Sequence, residues 1–239
     1  MARSIAPGSN RGIALSSIDG GFGASCARQP ALHPPRRRRV GLLGGSFNPA
    51  HDGHRYVSLL ALKRLALDEV WWLVSPQNPL KASAGMADLA SRLDGARAVA
   101  RHRRIRVTDI ERRLGTRHTV DTLAALARRF PRHAFVWLMG ADNLAQIEQW
   151  KDWPKIFTSA PIAVIDRPTY SYSALAGKAA RRFRRARLDA RRATSLAVTD
   201  PPAWVFIRGK PHPASATSIR NARAGQPNGA DGANRGRRA

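Results

Sequence analysis

The chain has 239 residues, enough for one domain with tails or two small domains, and at 43% hydrophobic it can bury a core. Its single cysteine, Cys26, excludes a disulfide or a cysteine-built zinc site within the chain and agrees with a reducing, cytoplasmic setting. The formal charge of +25, from 41 Lys+Arg against 16 Asp+Glu, suits a polyanionic partner, but it also fits an arginine-rich composition spread over solvated faces.

Residues 1–38 are rich in Gly, Ser, Ala and Pro and run into a basic stretch, Arg36–Arg39. They read as a disordered, solvated leader. The leader has no apolar signal core, so secretion is not expected. "VGLLGG" then reads as a strand and "HRYVSLLALKRLAL" as a helix, with Val57, Leu60, Ala61 and Leu65 at helical spacing. Lys63 and Arg64 break the longest apolar run, so no segment is expected to span a membrane.

"EVWWLV" reads as a buried strand, "ADLASRLDGARAVARH" as a helix, "IRVTDI" as a strand, and "VDTLAALARRF" as a helix stopped by Pro131. "AFVWLMG" is a strand followed by the helix "ADNLAQIEQW". "APIAVIDRP" is a strand, 173–193 a very basic helix, and "AWVFI" a last strand before the short helix "SATSIRNAR". The tail, 225–239, is low in complexity and reads as disordered. Six apolar strands alternating with helices predict an α/β fold, a doubly wound and mostly parallel sheet occupying 39–224.

In such a sheet, ligands bind beyond the carboxyl ends of the strands, and the first strand-to-helix turn lines the crevice. That turn is "GGSFNPAHDGH", residues 44–54. Gly44 and Gly45 allow a close backbone approach to a ligand. The helix start that follows offers free N–H groups and a partial positive charge. His51 and His54, three apart, share one face there and can donate to phosphate oxygens. Metal binding by the pair is the rival reading, and no third ligand lies nearby in sequence.

The pattern is neither the dinucleotide-binding GxGxxG nor a P-loop. Residues Gly45–His54 follow G-x-F-x-P-x-H-x-G-H, including Ser46 and Phe47, and resemble the first motif of the nucleotidylyltransferase superfamily. "SATSIR", Ser215–Arg220, resembles its second motif. "SPQNPLK", "RHTVDTL", "GADNLAQIEQWKDW" and "IDRP" extend the resemblance over residues 40–222, to the bacterial nicotinate-nucleotide adenylyltransferases.

That resemblance implies transfer of an adenylyl group from ATP, with Mg²⁺, to nicotinate mononucleotide, giving deamido-NAD and pyrophosphate without a covalent enzyme intermediate. It implies no obligatory nucleic acid and no resident metal site. It assigns His51 and His54 to the reacting phosphates, Thr217 and Ser218 to phosphate oxygens, and Arg220 to the β- and γ-phosphates. Ser215 and Thr217 serve equally as helix caps. Gly140 and Asp142 would lie under the nucleotide, and Thr119 and Trp150 near the nicotinate ring. Lys81 would complement a phosphate. Trp150 can also be read as a core residue and Lys81 as a solvated loop lysine.

Several positions depart from the family pattern: Asn48, Leu80, Arg117, His118 and Lys151. The last four lie around base recognition. Other acceptors, nicotinamide mononucleotide or phosphopantetheine, remain open within the superfamily. A separate reading makes the basic stretch 178–192 a nucleic-acid-binding helix with salt-dependent affinity.

Overall fold

Strand β1 (Arg38–Gly45) starts two residues before the apolar run, because arginines at its mouth find acidic partners. Arg36 pairs with Asp68 at 2.6 Å, and Arg38 Nε lies 3.1 Å from Glu69. Part of the run expected to be a solvated leader is therefore built into a central strand of the sheet. The computed structural model describes residues 36–76, 86–166 and 170–209.

The chain continues through α1 (Asp52–Arg64), β2 (Glu69–Val74), α2 (Leu89–Ala100), β3 (Ile105–Thr108), α3 (Ile110–Leu114) and α4 (Thr119–Arg129). It returns through β4 (His133–Gly140), α5 (Ala141–Ala145), α6 (Trp153–Ser159) and β5 (Ile162–Ile165). Then come α7 (Ser171–Ala176), α8 (Lys178–Arg182), β6 (Arg187–Leu188) and β7 (Trp204–Ile207). The strands form one parallel sheet in the order β3-β2-β1-β4-β5-β7-β6. This is the doubly wound α/β architecture expected from the alternating pattern, with one additional two-residue strand, β6.

Strand periodicity divides the core into two layers. Val40, Leu42, Trp71, Leu73, Trp137 and Met139 face the layer closed by α4, α5 and α6. Leu43, Val70, Trp72, Val136 and Leu138 face the layer closed by α1 and α2. All six residues of β2 are buried, which agrees with a strand covered on both faces.

The single basic helix expected over 173–193 does not form. Gly177 caps α8, and the chain turns at Phe183. The Phe183 ring stacks on Phe157 at 4.2 Å, and its carbonyl accepts the Trp204 indole N–H at 2.8 Å. Residues Ala190–Val198 then wind as a 3-10 helix. Its buried Ala193 and Leu196 are three apart, the repeat of that helix. Long-range contacts to α6 and β7 have overridden local helix propensity here. The short α3 was also not separated in the sequence. Asp109 begins it by accepting from Arg112 and Arg113 at 2.6 and 2.9 Å, which ends β3 early.

Candidate active site

The strand order reverses between β1 and β4: the chain winds outward through β2 and β3, then crosses back. A cleft of about 670 Å³ opens at the carboxyl ends of those strands. It is lined by Gly44, Gly45, Ser46, Phe47, His51 and His54 from the first turn. Gly140 and Asp142 line it at the end of β4, and Thr119 and Trp150 on the far side. Every sequence-predicted site residue within the described segments is therefore on one cleft. Lys81, Ser215, Thr217, Ser218 and Arg220 lie outside the described residues, as does the helix expected at "SATSIRNAR".

The two histidines build the start of α1 themselves. His51 is its N-cap, and its Nδ1 accepts the Gly53 N–H at 3.1 Å. His54 Nδ1 reaches back to accept the His51 N–H at 3.2 Å. This is a capping box made from imidazoles. It fixes the tautomer: with both Nδ1 atoms accepting, the proton of each neutral ring is assigned to Nε2. Both rings line the cleft, with centroids 3.9 Å apart.

The pair is braced from below. Phe47 lies 4.7 Å from the His54 ring and stacks on Trp72 at 5.0 Å. Trp72 Nε1 donates to Ser58 Oγ at 2.7 Å, and Ser58 donates to the His54 carbonyl at 2.8 Å. Phe47 has φ +48°, a left-handed conformation that is rare for an aromatic residue. A β-carbon at Gly44 would sit 2.6 Å from the buried Trp137 ring. Gly44 is thus demanded by the tryptophan beneath it, whereas Gly45 has ordinary room for one, 3.5 Å from Phe47.

The opposite wall is less enclosed. Thr119 opens α4 behind His118, and Trp150 is half-buried between the cleft and the core. Trp150 both packs on the core and lines the cleft. Arg117, His118 and Lys151, three of the departures from the family pattern, also line the cleft. Lys151 pairs with Asp121 at 3.2 Å, both about half-exposed.

Sequence reasoning missed Glu111. It is a buried carboxyl in the cleft wall, 6% exposed. Thr122 Oγ1 lies 3.3 Å from its Oε1, and the Ser75 hydroxyl also donates to the carboxyl. Among the described residues, Oε2 has no hydrogen-bond partner. Burial pushes this carboxyl up to about 7, with the two hydroxyls opposing. An acid within the basic run "ERR" carried no periodic signal in the sequence.

Among the described residues no group of three or more His, Cys, Asp or Glu could hold a metal ion, and no helix is long and apolar enough to cross a membrane. The metal reading of the histidine pair thus gains no third ligand from the described residues.

Residues 42–222 match the model of the cytidylyltransferase-like family. A protein of Parvibaculum lavamentivorans named "Probable nicotinate-nucleotide adenylyltransferase" is 54% identical over 194 residues, covering 81% of this chain and 96% of that protein. A Bradyrhizobium protein of the same name is 51% identical over 183 residues, covering 77% and 95%. The solved Plasmodium falciparum nicotinic acid mononucleotide adenylyltransferase complexed with NaAD has the same fold, with a TM-score of 0.58 at 16% identity, over 77% of this chain and 83% of that one. The motif pair, the parallel sheet and these relatives agree, and the chain belongs to the cytidylyltransferase-like family, among the bacterial nicotinate-nucleotide adenylyltransferases.

Proposed function

We propose that the protein transfers the adenylyl group of ATP to nicotinate mononucleotide, releasing pyrophosphate and forming deamido-NAD. The observation that carries this reading is the imidazole capping box at the switch point of the sheet, which sets both histidine rings in the wall of one cleft. The 5′-phosphate of the mononucleotide attacks the α-phosphorus of ATP in line, the new P–O bond forms, and the bond to pyrophosphate breaks. The attacking phosphate is already ionised, so no strong base is needed. Catalysis rests on alignment and on donors placed where charge develops.

His54 stabilises the α-phosphate, and His51 grips a neighbouring phosphate oxygen while holding the helix start. Gly44, Gly45, Ser46 and Phe47 shape the turn against the triphosphate. Gly140 and Asp142 lie under the nucleotide. By their motifs, Lys81, Ser215, Thr217 and Ser218 are assigned to phosphate oxygens, and Arg220 to the β- and γ-phosphates through its fork of donors. Thr119 and Trp150 receive the nicotinate ring, Trp150 by stacking.

Mg²⁺ enters as part of the substrate, held by the phosphates of ATP and water, and screens their charge. Among the described residues only Asp142 and Glu111 bring carboxylates to the cleft, which fits an ion carried by the nucleotide. The reading places the reaction in the cytoplasm, supported by a single cysteine that leaves no disulfide within the chain.

The test is pyrophosphate release with Mg²⁺-ATP and, in parallel, nicotinate mononucleotide, nicotinamide mononucleotide or phosphopantetheine. Turnover with the first acceptor, reduced about 10²–10³-fold in His54→Ala, is the expected result. Preference for another acceptor would keep the chemistry and overturn the substrate.

A further inference from the structure

Arg92 lies on α2, outside every motif discussed above, and is only 4% exposed. Its guanidinium donates to four backbone carbonyls. Nη1 reaches Ser46 at 2.8 Å and Ser75 at 2.7 Å, Nη2 reaches Pro76 at 2.9 Å, and Nε reaches Ala87 at 2.9 Å. Ser46 is the residue just after β1, and Ser75 and Pro76 are the two just after β2. Ala87 precedes Asp88, the N-cap of α2. One side chain thus ties together the two loops that leave the sheet at the cleft and the helix that follows.

Where parallel strands end, carbonyls lose their ladder partners and need other donors if buried. A guanidinium offers five N–H groups in a fixed planar fork, and a lysine ammonium cannot span four carbonyls in three directions. Two further bonds close the unit: Ser75 N–H donates to the Gly45 carbonyl at 2.9 Å, and Ala87 N–H to Asn48 Oδ1 at 3.4 Å. Between Ser46 and Asn48 sits Phe47, held in its left-handed conformation. Such a conformation is costly and persists only where its surroundings over-determine it. The carbonyl just before it is bonded to Arg92, and its ring rests on Trp72 and under His54.

We propose that Arg92 is a positioning residue for adenylyl transfer: its guanidinium fork clamps the Gly44–His54 turn so that His51 and His54 meet the reacting phosphates in register. This rests on the adenylyltransferase reading above. Arg92 has no role in gripping substrate, because four of its five N–H groups are spent on protein carbonyls and it does not line the cleft. Its loss therefore acts on alignment, to which kcat is steeply sensitive, more than on ground-state binding spread over many contacts.

The experiment compares Arg92→Lys and Arg92→Met with the parent protein by steady-state kinetics and by hydrogen exchange. Exchange is read on the peptide covering 44–54 against one covering 204–207. Arg92→Lys keeps the charge and loses the fork. The expected result is a fall in kcat of about 10–100-fold with KM for ATP within about threefold, and faster exchange confined to 44–54. Arg92→Met should match it.

A kcat within twofold of the parent in Arg92→Lys would overturn the proposal. If Arg92→Met alone loses activity, the charge acts through its field and the clamp is wrong. Exchange that rises equally in both peptides, or failure of both variants to fold, would make Arg92 a general stability element and overturn it too. Should the parent itself show no turnover, the reaction assignment fails, and selective exchange at 44–54 still decides the clamp.

Discussion

The two ends of the cleft are built differently. At the histidine end, His51 is 6% exposed, each histidine accepts a backbone N–H, and Phe47, Trp72, Ser58 and Arg92 lock the turn from beneath. At the end lined by Thr119 and Trp150, Arg117 is exposed, His118, Thr119 and Trp150 are half-buried, and the Lys151–Asp121 pair stands in solvent. The adenylyl-transfer chemistry needs donors fixed to a fraction of an ångström, so its wall is prebuilt. The departures Arg117, His118 and Lys151 from the family pattern cluster at the looser end, where, on the proposed reading, a small ring is recognised.

The sharpest way to break this contrast is His51→Asn. Asparagine restores the N-cap to Gly53 but removes the Nε2 donor. Folding stability should stay within about 1 kcal/mol of the parent, while kcat falls on the order of 10²–10³. Parent-like kcat in a thermal-melt-matched sample would reduce His51 to a structural cap.

A smaller effect is expected from Glu111. Burial favours its protonated form, so the folded protein keeps a proton that the unfolded chain releases near 4.5. The contribution to stability is fully present below 4.5, declines as pH rises to about 7, and is absent above that. The displacement from 4.5 to about 7 corresponds to about 3 kcal/mol at most. Denaturant melts of the parent between pH 4.5 and 8 should show this slope, and Glu111→Gln should lack it. Equal slopes would mean that the carboxyl is hydrated and ionised.

The smallest effect belongs to the exposed rim of the cleft at Lys151. An exposed pair such as Lys151–Asp121 contributes about 0–1 kcal/mol. Lys151→Ala should leave the melting temperature nearly unchanged and shift kcat/KM for nicotinate mononucleotide by less than about fivefold, less still at high salt. A loss comparable to that of His54→Ala would show that the rim matters to turnover as much as the phosphate wall does.

The order of strands and helices was legible because apolar runs such as Val70–Val74 and helical spacing such as that of Leu123 and Leu126 are local signals. The phosphate turn was legible for the same reason: its glycines, proline and histidines sit within eleven consecutive residues. What the chain order could not show is what meets across it. The basic stretch breaks at Phe183 because Phe157 and Trp204 hold it there. Gly44 is needed because Trp137 lies beneath it. Arg92 looked like a charge on a helix and Glu111 like an acid between elements, and they became a buried clamp and a buried acid. Periodicity reports which face of an element is apolar. It is silent on which carbonyls, rings and hydroxyls the sheet topology brings to one side chain, and those contacts decide whether a charged group is solvated or put to use.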